Sequence, residues 1–95
     1  MSVTVEVKLF ANFRDKAGVS STEVQATTAG ELIRKLVSEF EELEDLLLEE
    51  PPPEIELKSG ITVMLNGRNI RFLEGNETEL EEDDTVTVFP PIGGG

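Results

Sequence analysis

The chain has no cysteine and no histidine. That removes disulfides, thiolate nucleophiles, imidazole bases and nearly every zinc or redox-metal site. If this protein handles sulfur, it cannot do so on a cysteine side chain. Tryptophan and tyrosine are absent too, and the aromatic complement is 5 phenylalanines. The groups left for catalysis are carboxylates, lysines, arginines and hydroxyls. Paired carboxylates can do acid–base work when something drives their pKa values apart. Here the acids fall in exposed-looking runs such as Glu81-Glu82-Asp83-Asp84. That run also lacks the spaced oxygen ligands and internal glycine of a calcium loop. No catalytic residue, no metal site and no bound cofactor are expected.

Positive charge is scarce. Lys and Arg number 8 against 20 Asp and Glu, a formal net charge of −12. Nucleic-acid binding requires a basic footprint, so no nucleic-acid partner is expected. The acidity reads as a device for solubility, or alternatively as steering toward basic partner surfaces. Long apolar runs are missing, so no membrane span is expected. The opening MSVTVEVKLF goes directly into a strand pattern, without a basic n-region or apolar h-region. A cytoplasmic location is expected on that ground. A length of 95 residues and a 38% hydrophobic fraction suit one domain with a modest core, a monomer when free.

What is present is a clear alternation of patterns. Val3, Val5, Val7 and Leu9 alternate with Thr4, Glu6 and Lys8, which predicts a half-buried strand. Asp15, Lys16 and Gly18 read as the turn of a long-looped hairpin that returns along Thr22 to Ala26. Thr28 and Glu31 have capping-box spacing. Leu32, Ile33, Leu36, Val37, Phe40 and Leu43 then recur at helical spacing, with Leu46 and Leu47 as an extension. Pro51-Pro52-Pro53 ends any helix. After a connector from Glu54 to Gly60, Ile61, Val63 and Leu65 mark a third strand. Asn66-Gly67 is a tight-turn signal, and Asn69 to Leu73 reads as a short returning strand. An acidic loop from Gly75 to Asp84 leads to a last strand, Thr85 to Phe89, with Val86 and Val88 on one face.

Strand, strand, helix, strand, short strand, strand predicts an α+β fold. One main helix covers one face of a mixed sheet of four to five strands, with the first and last strands central. This is the β-grasp, or ubiquitin-like, arrangement. Residues 1–91 would form the domain and 92–95 a flexible tail.

The last ten residues read VTVFPPIGGG. A glycine run costs backbone entropy when ordered, so it rarely serves a fold. Its benefit is access, because glycine fits a narrow channel and lets a partner's backbone approach closely. Pro90-Pro91 favours an extended start. From Pro90 to Gly95 the reach is roughly 20 Å. A carboxylate at that end is inert until activated. As an acyl-adenylate it can be attacked by a sulfur nucleophile, giving a thiocarboxylate, or by a lysine amine through a thioester, giving an isopeptide bond.

The ending Val86-Thr87-Val88-Phe89-Pro90-Pro91-Ile92-Gly93-Gly94-Gly95 resembles that of the molybdopterin synthase small subunit. It is also similar to the small archaeal ubiquitin-like modifiers of the same thiamin sulfur-carrier family. Val7 to Arg14 with Ala17-Gly18, and Ile61 to Gly67, look like other parts of that pattern. Gly93 stands where relatives more often carry serine or alanine, and the acidic segment from Leu46 to Lys58 leans toward the archaeal modifiers. The resemblance implies that an activating enzyme adenylates Gly95 using ATP, with Gly93 and Gly94 threading its channel. Two outcomes follow from it. One is conjugation to lysines of target proteins, with or without a parallel sulfur-carrier role. The other is a dedicated sulfur carrier that docks on the large subunit of molybdopterin synthase. By strand parity Phe10, Met64 and Phe89 face away from the helix, although Phe10 could equally be a core residue. With Pro90 and Pro91 they are the expected partner-binding patch.

Overall fold

The computed structural model describes residues 2–50 and 55–91. The proline triplet and the glycines from Gly93 onward, both singled out above, lie outside the described residues. Five strands form one mixed sheet: β1 (Val3–Leu9), β2 (Ser21–Ala26), β3 (Thr62–Leu65), β4 (Arg68–Asn69) and β5 (Thr85–Phe89). Their spatial order is β2-β1-β5-β3-β4. β1 and β5 run parallel, with Leu9 opposite Val88, and the other pairs are antiparallel. The first and last strands are therefore central neighbours, as their apolar patterns predict. β5 is flanked on both sides, so its backbone ladder is satisfied along its length.

Period-two alternation sorts the side chains. Val5, Val7, Leu9, Val63, Val86 and Val88 are buried on one face. Over them lies α2 (Ala29–Glu39), which contributes Leu32, Ile33, Leu36 and Val37. At about 1.5–3 kcal/mol for each large apolar side chain, this face supplies most of the fold's driving force. Thr28 caps α2, its Oγ1 accepting from the Glu31 backbone N–H at 3.3 Å. The Glu31 carboxylate reaches back one residue further than a capping box requires and accepts from the Thr27 N–H at 2.6 Å. That hydrogen bond, helped by Lys35 and Arg34, holds the Glu31 carboxyl below its usual pKa. Gly30 is required in the first turn of α2, because a Cβ there would stand 2.9 Å from the Asn76 Cβ.

Three expectations need correction. The segment after β1 is not a plain loop. It holds a helix, α1 (Ala11–Ala17), pinned by the buried Phe13 and closed by Gly18 in the left-handed region, whose N–H donates to the Arg14 carbonyl. The main helix does not continue through Leu43. It stops at Phe40, whose φ of −119° and ψ of 84° break the helical course. A 3-10 turn (Glu41–Leu43) and the short α3 (Glu44–Leu47) follow, and they still bury Leu43 and Leu47. The break sits where acidic side chains begin to crowd one another. Finally, the strand expected over Asn69 to Leu73 is only β4. Asn69 Oδ1 accepts from the Arg71 N–H at 2.9 Å and starts a 3-10 turn, Ile70–Phe72. Past α3, Leu48 bridges Leu57, and the Lys58 N–H donates to the Leu47 carbonyl at 2.8 Å. This pairing brings together the two ends of the connector that carries the proline triplet.

Candidate functional site

The site is built around the end of β5. Val86 and Val88 are each 1% exposed and fix the strand in the core. Alternation then turns Thr87 and Phe89 to the opposite face. β1 reaches the same level with Phe10, one residue past its last register pair, Leu9 with Val88. The two phenylalanines stack, ring centroids 5.0 Å apart and planes 17° from parallel. Such a pair contributes about 0.5–1.5 kcal/mol beyond simple burial. Phe10 remains 40% exposed and Phe89 is half-buried, so the pair presents apolar surface rather than filling the core. The core alternative for Phe10 is excluded; the buried phenylalanine of this region is Phe13.

Met64 lies opposite Thr87 on β3, and Thr62 lies opposite Phe89. Met64 is thus a diagonal neighbour of Phe89 on the same face, within reach of a long side chain. Pro90 is half-buried and Pro91 exposed. Pro91 is seated against Gly60: a Cβ on Gly60 would come within 2.9 Å of the Pro91 Cβ. Gly60 also has a φ of +88°, so both backbone conformation and close approach require glycine there. The chain leaving the central strand is therefore given a direction by contact with the turn before β3. The five expected patch residues come together around the end of β5. Gly93, Gly94 and Gly95 lie outside the described residues.

Sequence reasoning missed two members of this surface. Lys8 is exposed and pairs in register with Thr87, which puts its ammonium on the same face as Met64. Strand parity alone could have found it. Gly60 gave no such signal, because its role depends on a contact across thirty residues.

Among the described residues, no group of three or more His, Cys, Asp or Glu is placed to hold a metal ion. No helix among them is long and apolar enough to cross a membrane. The acidic loop is tied up in its own hydrogen bonds. Asp84 accepts from Asn66 Nδ2 at 2.8 Å and from the Glu81 N–H at 2.7 Å. Glu82 accepts from the Thr4 N–H.

A mixed five-stranded sheet in this order, packed on one main helix, is the ubiquitin-like β-grasp. The chain belongs to the ThiS family, which it matches over residues 7–95. It is 35% identical over 94 residues to small archaeal modifier protein 3 of Haloferax volcanii, covering 96% of this chain and 98% of that one. The solution structure of small archaeal modifier protein 1 from Methanosarcina acetivorans matches with a TM-score of 0.89 at 33% identity, over 100% of this chain and 99% of that one. CysO represents the other branch. The sulfur carrier protein CysO of Mycobacterium tuberculosis is 25% identical over 95 residues, the full length of both. A chain of the Amycolatopsis orientalis BexX/CysO complex matches with a TM-score of 0.81 at 29% identity, over 96% and 99% of the two chains. The resemblance read from the two ends of the sequence holds, and the relatives fall into the two classes it names, modifiers and sulfur carriers.

Proposed function

We propose that this protein is a cytoplasmic ubiquitin-like modifier, acted on by an activating enzyme rather than catalytic itself, with Gly95 as the residue activated. The observation that carries the reading is the construction at the end of β5. The strand is locked between β1 and β3, and the Phe10–Phe89 stack and the Pro91–Gly60 contact stand where the glycines begin. A rigid root with an apolar face suits a tail that must be delivered to another protein's active site.

The Gly95 carboxylate attacks the α-phosphorus of ATP, forming the acyl-adenylate and releasing pyrophosphate. A partner thiolate displaces AMP to give a thioester. A target lysine amine then displaces the thiolate and forms the isopeptide bond. ATP is a substrate of the activating enzyme, and this chain binds no cofactor. Phe10, Met64, Phe89, Pro90 and Pro91 form the docking face for that enzyme, with Lys8 at its margin.

The sulfur-carrier relatives favour a second use of the same activated end. Sulfide, in place of the thiolate–lysine sequence, displaces AMP from the acyl-adenylate and leaves a thiocarboxylate on Gly95. A dedicated sulfur carrier, docking through the same patch on the large subunit of molybdopterin synthase, would make only that product. Expression of the N-terminally tagged full chain in its native cell separates the readings. A modifier gives a ladder of higher-mass conjugates that disappears when Gly94 and Gly95 are deleted. A dedicated carrier gives no ladder, and its C-terminus gains one oxygen-to-sulfur exchange. A ladder that survives the deletion overturns the role given to Gly95.

A further inference from the structure

The two edges of the sheet are guarded differently. β4 is only 2 residues long, which leaves little for another strand to pair with. β2 is 6 residues long, contains no proline and pairs on one side only, with β1. At its start the Leu9 N–H donates to the Ser20 carbonyl at 2.9 Å. Carried along the antiparallel register, in which Val7 faces Thr22 and Val5 faces Val24, this turns the backbone groups of Thr22, Val24 and Ala26 toward β1. Those of Ser21, Glu23 and Gln25 then point out of the sheet. The Gln25 carbonyl shows the same direction, because it accepts from Lys35 Nζ of α2 at 2.6 Å. Among the described residues no other outward group of this strand has a hydrogen-bond partner. Lys35 closes one end of the edge, and the exposed Ser21 and Glu23 leave the rest open.

The same strand carries an electrostatic conflict. Glu6 of β1 lies directly opposite Glu23. Theirs is a non-hydrogen-bonded pair, the kind in which side chains stand closer, and like charges so placed destabilise a sheet. Lys8 lies opposite Ser21, diagonal to Glu23. The ion pairs among the described residues join Arg14 to Asp15 and Arg34 to Glu31, so neither glutamate is in one. Glu82, which accepts from the Thr4 N–H, brings a further carboxylate to β1.

We propose that the outer edge of β2 is a binding site for an extended segment of a partner protein that carries an arginine or lysine. The segment adds to the sheet as an antiparallel strand. Its basic residue exchanges two backbone hydrogen bonds with Glu23 and lays its side chain beside the Glu23 carboxylate, one strand from Glu6. The residue two places further on exchanges backbone hydrogen bonds with Ser21. The open backbone supplies affinity, and the opposed carboxylates select the charge. A second copy of this chain is the wrong occupant. Each copy has a net charge of −12, and a two-fold pairing centred on Glu23 would set that residue against itself. β1 separates this edge from β5, so the site is distinct from the root of the tail.

The test is an amide-resolved NMR titration of the full chain with the end-capped peptide Thr-Val-Arg-Val-Thr, using Thr-Val-Glu-Val-Thr as the charge-reversed control. In the free protein the Ser21 and Glu23 amides should exchange with solvent fast, and those of Thr22 and Val24 slowly. The arginine peptide should shift residues 20–25 and slow the Ser21 and Glu23 amides, binding at least about tenfold more tightly than the control. Ser21→Pro removes an outward N–H at the first residue of the strand, where proline is tolerated. It should keep the dispersed native spectrum and weaken binding about tenfold. Glu23→Lys relieves the opposed pair, so it should not lower the melting temperature, and it should reverse the preference between the peptides. The proposal is overturned by no shifts at about 5 mM peptide, by shifts centred elsewhere, by equal binding of the two peptides, or by a Glu23→Lys variant that still prefers arginine. Shifts that follow protein concentration without peptide would make this edge a contact between copies, and would also overturn it. Deleting Gly94 and Gly95 should leave peptide binding intact, and Ser21→Pro should leave conjugation intact. This proposal and the modifier role therefore fail separately.

Discussion

Two exposed aromatic regions on one small sheet have been built differently. At the centre, Phe10 and Phe89 stack on each other, and each half-covers its partner. At the edge, Phe72 stands 83% exposed. The central pair is held by the two best-anchored strands, so its geometry is set before any partner arrives. The edge residue rides on a one-turn 3-10 segment held by the Asn69 side-chain cap, the Leu73 N–H to Ile70 carbonyl hydrogen bond and the buried Ile70. The difference teaches where rigidity is useful. A tail that must reach a reacting centre needs a fixed root, and the stacked pair at the end of the central strands supplies one.

The largest effect should come from the core that makes the root rigid. Phe13 is 1% exposed beneath the β1–β2 connection. Phe13→Ala should cost about 3–5 kcal/mol in urea unfolding and loosen Phe10, three residues away. A loss below about 1 kcal/mol would mean that α1 does not anchor the root. Next come the two aromatics themselves. Phe89→Asp should leave the chain folded but reduce binding to the activating enzyme at least about tenfold. Phe72→Asp should leave that binding unchanged. Equal losses, measured by titration calorimetry, would collapse the distinction between the regions.

Gly60→Ala sharpens the root further. An L-residue in the left-handed region costs about 1–2 kcal/mol, and the new methyl group would push on Pro91. Melting should shift down modestly, and Pro91 resonances should move while those of Phe72 stay. The smallest effect is a pH dependence. The Glu31 carboxyl has a lowered folded pKa, first because it accepts from the Thr27 N–H. Its contribution is therefore present above the usual carboxylate pKa and is lost as pH falls through the lowered value. Glu31→Gln should remove that part of the acid-side loss of stability. A variant whose pH profile matches the parent in acid would show that the Glu31 contact adds nothing.

Much of the fold was legible because its signals are local and repeated. β1 and β5 alternate strictly, α2 carries a full apolar stripe behind a Thr28–Glu31 cap, and Asn66-Gly67 marks its turn. α1 was not legible. Seven residues with one large apolar anchor show no period, and only the pocket that Phe13 fills makes them helical. The Asn69 to Leu73 segment misled for the opposite reason. Its apolar residues alternate like a strand, but the Asn69 side chain competes for the backbone and turns it. At the site, parity alone placed Phe10, Met64 and Phe89 on one face. The seating of Pro91 on Gly60 depends on long-range packing, which no short stretch records.

The proposed function makes the domain a rigid handle for the carboxylate of Gly95. Mass spectrometry of the N-terminally tagged protein from its native cell tests it most directly. Peptides in which a target lysine carries the glycine end of this chain are expected, together with a fraction of free protein ending in thiocarboxylate. Free protein ending only in an unmodified carboxylate, with no lysine-linked remnant, would contradict it.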